Sequence, residues 1–386
     1  MNNRNRSMSY LSLCLLAALS GNTTANESSD DEPDDIENIL IIGKHSSIST
    51  AKLAGSYEAI GRDQIDYLHV DDNIELLTKL PGVSVSRWNQ GPTNGDISIR
   101  GFDGDGVVPH VTLHIDGIPS TRHDGFGELD QLFSLNLDAI QLFKGTSDVR
   151  FGLFNLAGNF EAFSRNDVDT TELEVTAGSF DTKEVQGYSG HQSGKLTHNY
   201  AFGYRDTQGY RENTELERHS LSGRWFYELN DDMQIGYITR TSSFDADAPG
   251  YLSFEQSRAD PKSSGIHASE DGGKKENTHH SLHLESNTGS LSYNARAYYQ
   301  NIEINRWVRF SEASSLSNRY LEQDQMGILV NTEYTFDTAW TLLAGFSYQS
   351  DEVLNQRFRS VGQARVRGES FRNHDHNQDT TGVYGS

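Results

Sequence analysis

Leu196-Thr197-His198-Asn199-Tyr200-Ala201-Phe202-Gly203-Tyr204-Arg205 is the stretch that decides the fold. Leu196, His198, Tyr200, Phe202 and Tyr204 fall on one face of an extended chain, and the polar or small residues between them fall on the other. The pattern recurs at Leu221, Gly223, Trp225, Tyr227 and Leu229, and at Met233, Ile235, Tyr237 and Thr239. It returns at Leu291, Tyr293, Ala295, Ala297 and Tyr299, and at Met326, Ile328, Val330, Thr332, Tyr334 and Phe336. Trp340, Leu342, Ala344, Phe346 and Tyr348 are the last clear case. Alternation sustained over roughly ten residues, with aromatics near strand ends, is the signature of a transmembrane β-barrel. A soluble β-sandwich also alternates, but its strands are shorter, about five or six residues. The longer segments favour the membrane barrel.

The connections support the same reading. Asn230-Asp231-Asp232 and Asp337-Thr338 read as tight turns, whereas 245–276 and 305–320 read as long polar loops. Barrels of outer membranes pair short periplasmic turns with long extracellular loops in this way. The composition fits too. Only 35% of residues are hydrophobic and mean hydropathy is -0.63, as expected when every spanning strand is half polar. The net charge of -23 leaves no basic stripe to neutralise phosphates, which argues against a nucleic-acid partner. Cys14 is the one cysteine, so a chain processed beyond it can form neither a disulfide framework nor a cysteine metal site.

The N-terminus reads as an export signal. Arg4 and Arg6 supply the positive region, Leu11 to Leu19 the apolar region, and Thr23-Thr24-Ala25 a small-residue cleavage site. Residues 1–25 are therefore a signal peptide, with a mature start at Asn26. Leu13 before Cys14 disfavours a lipoprotein, because lipid attachment wants a small residue there. Residues 26–35 are acidic and hold a proline, too polar to order themselves. Ile39-Leu40-Ile41-Ile42 then forms an abrupt apolar run ended by Gly43. Pattern alone allows two readings: the first strand of the next domain, or an exposed strand awaiting a partner's sheet edge.

Residues 57–165 have the texture of a compact mixed domain. Asp71-Asp72 precedes Ile74, Leu76, Leu77 and Leu80, a capped amphipathic turn stopped by Pro81-Gly82. Strand-like runs follow at Val83 to Ser86, Ile97 to Arg100, Val111 to Asp116 and Ile140 to Lys144. The glycine-rich segments between them read as adaptable, exposed loops.

Four of these motifs carry a resemblance. Leu76-Leu77-Thr78-Lys79-Leu80-Pro81-Gly82-Val83-Ser84-Val85, Ile97-Ser98-Ile99-Arg100-Gly101 and Val111-Thr112-Leu113-His114-Ile115-Asp116-Gly117 are similar in order and spacing to the plug of TonB-dependent outer-membrane receptors. Ile140-Gln141-Leu142-Phe143-Lys144-Gly145, followed by Phe151-Gly152 and Gly158, resembles the last plug motif. Asn159, Phe160 and Glu161 depart from it, as does the segment between Gly145 and Phe151.

The resemblance implies a membrane β-barrel of about 22 antiparallel strands with an N-terminal α+β plug in its lumen. About ten of those strands follow residue 172. The implied domains are a periplasmic tail with a TonB box at 26–56, the plug at 57–165, and the N-terminal part of the barrel at 166–386. The box is Glu37-Asn38-Ile39-Leu40-Ile41-Ile42-Gly43, which would add as a strand to TonB, itself driven by an inner-membrane energising complex. The implied activity is energy-coupled uptake of a scarce ligand, such as a ferric siderophore, across the outer membrane of a Gram-negative bacterium. That is transport, not enzymology: neither catalytic residues nor a cofactor nor a resident metal is expected, and the remaining partner is outer-membrane lipid.

Ligand candidates are Arg87, Trp88 and Asn89, then Arg122 and His123, all in plug loops, where a cation beside an aromatic suits an anionic iron chelate. Gly82, Gly101, Gly117 and Gly145 read as turn formers, and Arg100 as one half of an ion pair with a barrel carboxylate. His374-Asp375-His376 and His279-His280 read as solvated loop residues rather than metal ligands. The run Thr381-Gly382-Val383-Tyr384-Gly385-Ser386 reads as mid-strand, which gives the expectation of a piece of a longer barrel or of a truncated product. Three alternatives stand beside the transporter: a non-functional fragment, a passive porin or adhesin, and a signal-transducing receptor. The last would need a further folded domain before the box.

Overall fold

The computed structural model describes residues 56–385 except 89, 94, 103–109, 146–148, 153 and 337–339. The segments expected to be the signal peptide (1–25), the acidic tail (26–35) and the TonB box (37–43), together with Asn89, lie outside the described residues. Those described belong to one compact unit within Ile42–Ser386.

The first part of that unit is a small mixed α/β fold. Strand β1 (Ser56–Ile60) leads to helix α1 (Arg62–Leu68) and helix α2 (Ile74–Leu77). Strands β2 (Val83–Ser86) and β3 (Asp96–Ile99) form a separate antiparallel pair. Strands β4 (Val111–Ile115), β5 (Ile118–Pro119), β6 (Leu137–Lys144) and β7 (Gly158–Ser164) join β1 in a sheet of order β1-β6-β7-β4-β5, with β4 and β7 parallel. The Asp72 carboxylate accepts the Ile74 backbone N–H at 3.2 Å and so starts α2, although the cap position itself is Asn73. That turn delivers Leu76 and Leu77, fully buried, onto Ile99, Leu113, Leu137, Ile140, Leu142 and Phe160. Burying each such side chain stabilises the fold by about 1.5–3 kcal/mol. All of β4 is buried: Val111, Leu113 and Ile115 face this core, while Thr112 and His114 take the opposite face. The sequence missed α1, β1, β5 and β7, whose short and partly polar runs carry too little periodicity to be read alone.

Ten strands follow as one antiparallel meander, each bonded to its sequence neighbours. They are β8 (Thr170–Gly178), β9 (Thr182–Ser193), β10 (Leu196–Thr207), β11 (Leu216–Asn230) and β12 (Met233–Asp247), then β13 (Gly272–Thr288), β14 (Leu291–Val308), β15 (Ser317–Thr335), β16 (Thr341–Ser360) and β17 (Arg367–Gly385). The alternation is realised inside out. Tyr200, Phe202, Tyr204, Leu221, Tyr227, Ile235, Met326 and Ile328 are exposed on the outer face. Asn199, Arg218, Arg240, Asn277, Gln300, Gln323, Gln325 and Asp351 are buried on the inner face. A sandwich would bury the apolar face, so this distribution selects the membrane barrel. Rings from successive strands form an outer row. Tyr200 packs edge-on against Trp225 at 5.7 Å, Trp225 stacks on Tyr237 at 5.8 Å, and Tyr237 on His280 at 6.2 Å.

Strand length grows from 9 residues in β8 to 20 in β16. Crossing the hydrocarbon layer takes about 9–11 residues, so the later strands project well beyond it. This corrects the loop at 305–320: β14 runs to Val308 and β15 starts at Ser317, leaving a loop of 309–316. The long loop 245–276 shrinks to 248–271. Beyond the lipid both faces of a strand are wet, so alternation fades and strand residues look like loop. The histidines are corrected likewise. His279 and His280 lie in β13 and His374 and His376 in β17, with His279 buried against the lumen side.

Candidate functional site: the lumen wall and the plug apex

Between β4 and β5 the chain reverses at Asp116-Gly117, both with positive φ (53° and 73°), the geometry of a two-residue hairpin turn. Gly117 is required twice over. Its conformation suits glycine, and a Cβ there would sit 2.6 Å from Cζ of Arg296 on the barrel wall. The Asp116 carboxylate accepts from the Ser164 backbone N–H and hydroxyl, each at 2.8 Å, and pairs with Arg240 of β12. Burial alone would raise its pKa, but Arg240, Arg224 and the Ser164 hydrogen bonds outweigh that and hold it at about 2. On the same plug face His114 packs against Phe151 at 4.4 Å between ring centres. Burial, with Arg296 and Arg150 nearby, lowers its pKa to about 3, so it is neutral at physiological pH. Asp116 thus ties the plug to the wall at the end of the barrel carrying the short turns, here the near end.

A second tie lies toward the far end, where the long loops are. Ser120 and Glu128 close a tight loop: the Glu128 N–H donates to the Ser120 carbonyl at 2.8 Å and the Ser120 hydroxyl to the Glu128 carbonyl at 2.6 Å. Lys275 of β13 reaches between two plug carboxylates, Glu128 at 2.6 Å and Asp130, and all three side chains are at most 5% exposed. Arg122 completes the group, 3.0 Å from Asp124 and 3.6 Å from Glu128. Beside it, Arg218 of β11 donates to the Asp130 carbonyl at 2.8 Å and covers the Phe133 ring at 4.3 Å.

The two loops named from sequence come together here. Trp88 meets Phe126 edge-on at 5.7 Å, and the Arg122 guanidinium lies over the Phe126 ring, 5.1 Å from its centre. Arg87 pairs with Glu75 at 2.8 Å and is partly exposed. The His123 backbone N–H donates to Gln323 Oε1 at 3.0 Å, and its ring stands 5.7 Å from that of His376. Arg122 is therefore committed to internal carboxylates, which no sequence pattern could indicate because Glu128 lies in the same glycine-rich segment. Arg100 differs from expectation: it is exposed and forms no ion pair among the described residues.

The feature that sequence reading missed stands beyond this apex. Arg306 of β14 lies directly opposite Arg319 of β15, Arg319 opposite Arg357 of β16, and Arg357 opposite Arg372 of β17. All four share the inner-facing register of Gln300, Gln325 and Asp351, and Arg319 is within electrostatic reach of the other three. None forms a carboxylate ion pair among the described residues; Arg319 instead covers the Phe310 ring at 4.6 Å. The rung at Arg319 is four residues along β15 from Gln323, which contacts His123, hence about 13 Å further along that strand. Like charges directly opposed across strands repel, and four in a row stand out on a chain of net charge -23. The signal is in the sequence only once the register is known.

The far-end loops are tied to one another. Arg365 pairs with Asp247 and donates to the Glu270 carbonyl at 2.9 Å and the Asp271 carbonyl at 3.0 Å. Asn213 donates to the carbonyls of Ala248 and Ala268, each at 2.7 Å. The Asp271 carboxylate accepts the Arg309 backbone N–H at 2.7 Å. Burial raises its pKa to about 7, only partly offset by that N–H and by Arg306 and Arg365. A raised carboxyl pKa means that the closed loops hold a proton which the opened loop loses above about pH 4. The cluster therefore weakens as pH rises from about 4 to about 7 and is constant above that. Amide exchange in 248–271, corrected for intrinsic rate, should accelerate from pH 5.5 to pH 7.5, and Asp271→Asn should flatten the response. An unchanged slope in the variant would remove Asp271 as its source.

Plug and meander together define the class. Residues 49–159 match the family model described as the TonB-dependent Receptor Plug Domain, and the ten strands align with the barrels of TonB-dependent receptors, a family of outer-membrane transporters rather than enzymes. The chain resembles that family in its plug sequence and across most of its length in fold. Transferrin-binding protein A of Haemophilus influenzae is 30% identical over 164 residues, which is 39% of this chain and 16% of that protein. The ferric citrate transporter FecA in its unliganded form aligns with a TM-score of 0.72 at 16% identity, covering 86% of this chain and 52% of its own. The siderophore receptor PiuA from Acinetobacter baumannii gives 0.69 at 13% identity, covering 86% and 55%. The chain thus spans about half the length of these solved relatives.

Proposed function

We propose that this chain is the plug and N-terminal barrel portion of a TonB-dependent transporter that takes up an anionic iron chelate, such as a ferric siderophore, across the outer membrane. The arginine ladder over the plug apex carries this reading. It faces the lumen, forms no carboxylate ion pair among the described residues and lies about 13 Å along β15 from the residue that holds His123. In this reading residues 1–25 are removed on export, 26–56 form the periplasmic tail, 57–165 the plug and 166–386 barrel strands. The near end faces the periplasm and the far-end loops face outward. Trp88, Asn89 and His123 are apical contacts for the ligand, with Arg87 able to leave Glu75; Arg122 positions the apex through Glu128. The likeness to a ferric citrate transporter and to a siderophore receptor supports the substrate class.

Energy coupling falls to Glu37-Asn38-Ile39-Leu40-Ile41-Ile42-Gly43, which adds as an edge strand to TonB through main-chain hydrogen bonds. A proline removes one such donor and fixes the backbone. Ile41→Pro is therefore expected to leave binding of radiolabelled ferric citrate to cells intact while reducing its uptake to background. Equal uptake by the variant would favour passive permeation, the porin reading, against which the packed plug also argues.

A further inference from the structure

Near the short-turn end, below Asp116, a cavity of about 190 Å³ opens between plug and wall, lined among others by Arg224, Arg296, His283, Gln234, Thr197 and Asn166. It exceeds the roughly 150 Å³ that admits a benzene-sized guest, yet its lining is polar. Two guanidinium groups, Arg224 and Arg296, line it, and a third, Arg240, lies within electrostatic reach of the lining residue His283. Arg240 is taken up by Asp116. Arg296 donates to Asn294 at 2.8 Å and lies 3.9 Å from Glu285, itself held by Gln234 at 2.7 Å. Arg224 has neither a hydrogen bond nor an ion pair among the described residues; it lies over the Phe226 ring at 3.8 Å. The Nε groups of Arg224 and Arg296 are both buried without a partner.

Counting Arg240, which adjoins the cavity through its partner Asp116, three cations stand against two carboxylates, Asp116 and Glu285. Adding Arg150 and Glu161 from the adjoining space leaves the excess at one positive charge. A buried arginine with unsatisfied donors is costly unless an anion meets it, and a guanidinium fork suits the paired oxygens of phosphate or carboxylate. We infer that this cavity is a binding site for a small oxyanion, with Arg224 and Arg296 as its donors and Asp116 as the internal carboxylate that such an anion would rival for Arg240. It is separate from the far-end ladder and does not depend on the transport reading.

The test is calorimetric titration of the detergent-solubilised chain with inorganic phosphate and, separately, with citrate. It is done in an Arg306→Gln/Arg319→Gln/Arg357→Gln/Arg372→Gln background, so that the ladder does not contribute. Saturable binding that Arg224→Gln weakens at least about tenfold, with the β-sheet circular dichroism retained, is the expected result. Phosphate binding would identify a free-anion site, and citrate binding alone a site for the carboxylates of a chelate. Should Arg224→Gln fail to fold, Thr197→Glu adds a carboxylate at the cavity lining and is expected to weaken binding similarly. Binding of neither anion, or equal affinity in the substituted chains, overturns the inference.

Discussion

Replacing Lys275 by methionine is expected to destabilise the folded protein by about 3–5 kcal/mol, the cost of leaving buried charges uncompensated. Lys275 lies between Glu128 and Asp130, and both carboxylates are buried in the plug loop that faces β13. Methionine retains the apolar stem, so the loss is that of the ammonium charge rather than of packing. Arg122, 3.6 Å from Glu128 and already engaged by Asp124, cannot serve both carboxylates. One of them must therefore take up a proton or draw water into the plug–wall seam. Calorimetric unfolding of the detergent-solubilised chain should show the drop, largest at neutral pH and smaller near pH 4. The triple change Lys275→Met/Glu128→Gln/Asp130→Asn removes the charges together and should recover most of it. A loss below about 1 kcal/mol for Lys275→Met would mean that the triad is not the second anchor of the plug.

The ladder gives the other large effect, with opposite signs for stability and binding. Directly opposed residues are about 5 Å apart along the sheet. Two unit charges at that distance repel by roughly 3 kcal/mol at an effective dielectric constant of 20, and by under 1 kcal/mol in water. Since Arg319 is partly exposed, the lower figure applies. Arg319→Gln/Arg357→Gln should therefore raise stability by roughly 1 kcal/mol. It should also weaken binding of ferric citrate by about 10- to 100-fold, because two charge-assisted hydrogen bonds are lost. The parent's affinity should fall with added salt and the variant's should fall less. A ladder kept only for structure would give reduced stability and unchanged binding.

Much of this protein was legible in the residues. The faces of the strands follow from alternation, a local property fixed by the two-residue period of a strand, so the lipid-facing rows from Leu196 to Tyr348 could be written down without coordinates. Strands β2, β3, β4 and β6 and the turn at Asp116-Gly117 were legible for the same reason, since hydrophobic runs and turn glycines act over a few residues. What the sequence left open was relational. Arg306, Arg319, Arg357 and Arg372 are separated by turns whose lengths set the strand register, and a shift of one residue would send alternate members to the lipid face. Lys275 meets Glu128 across 147 residues, and Asp116 pairs with Arg240 while Arg224 forms no ion pair among the described residues. Charge pairing depends on distance in space, and a buried group's partners come from whichever strands the register brings alongside. The sequence by itself therefore determined which side of each strand faces lipid and that a plug precedes the strands. The tertiary structure alone decided which charges neutralise one another and which are left without a carboxylate ion pair among the described residues.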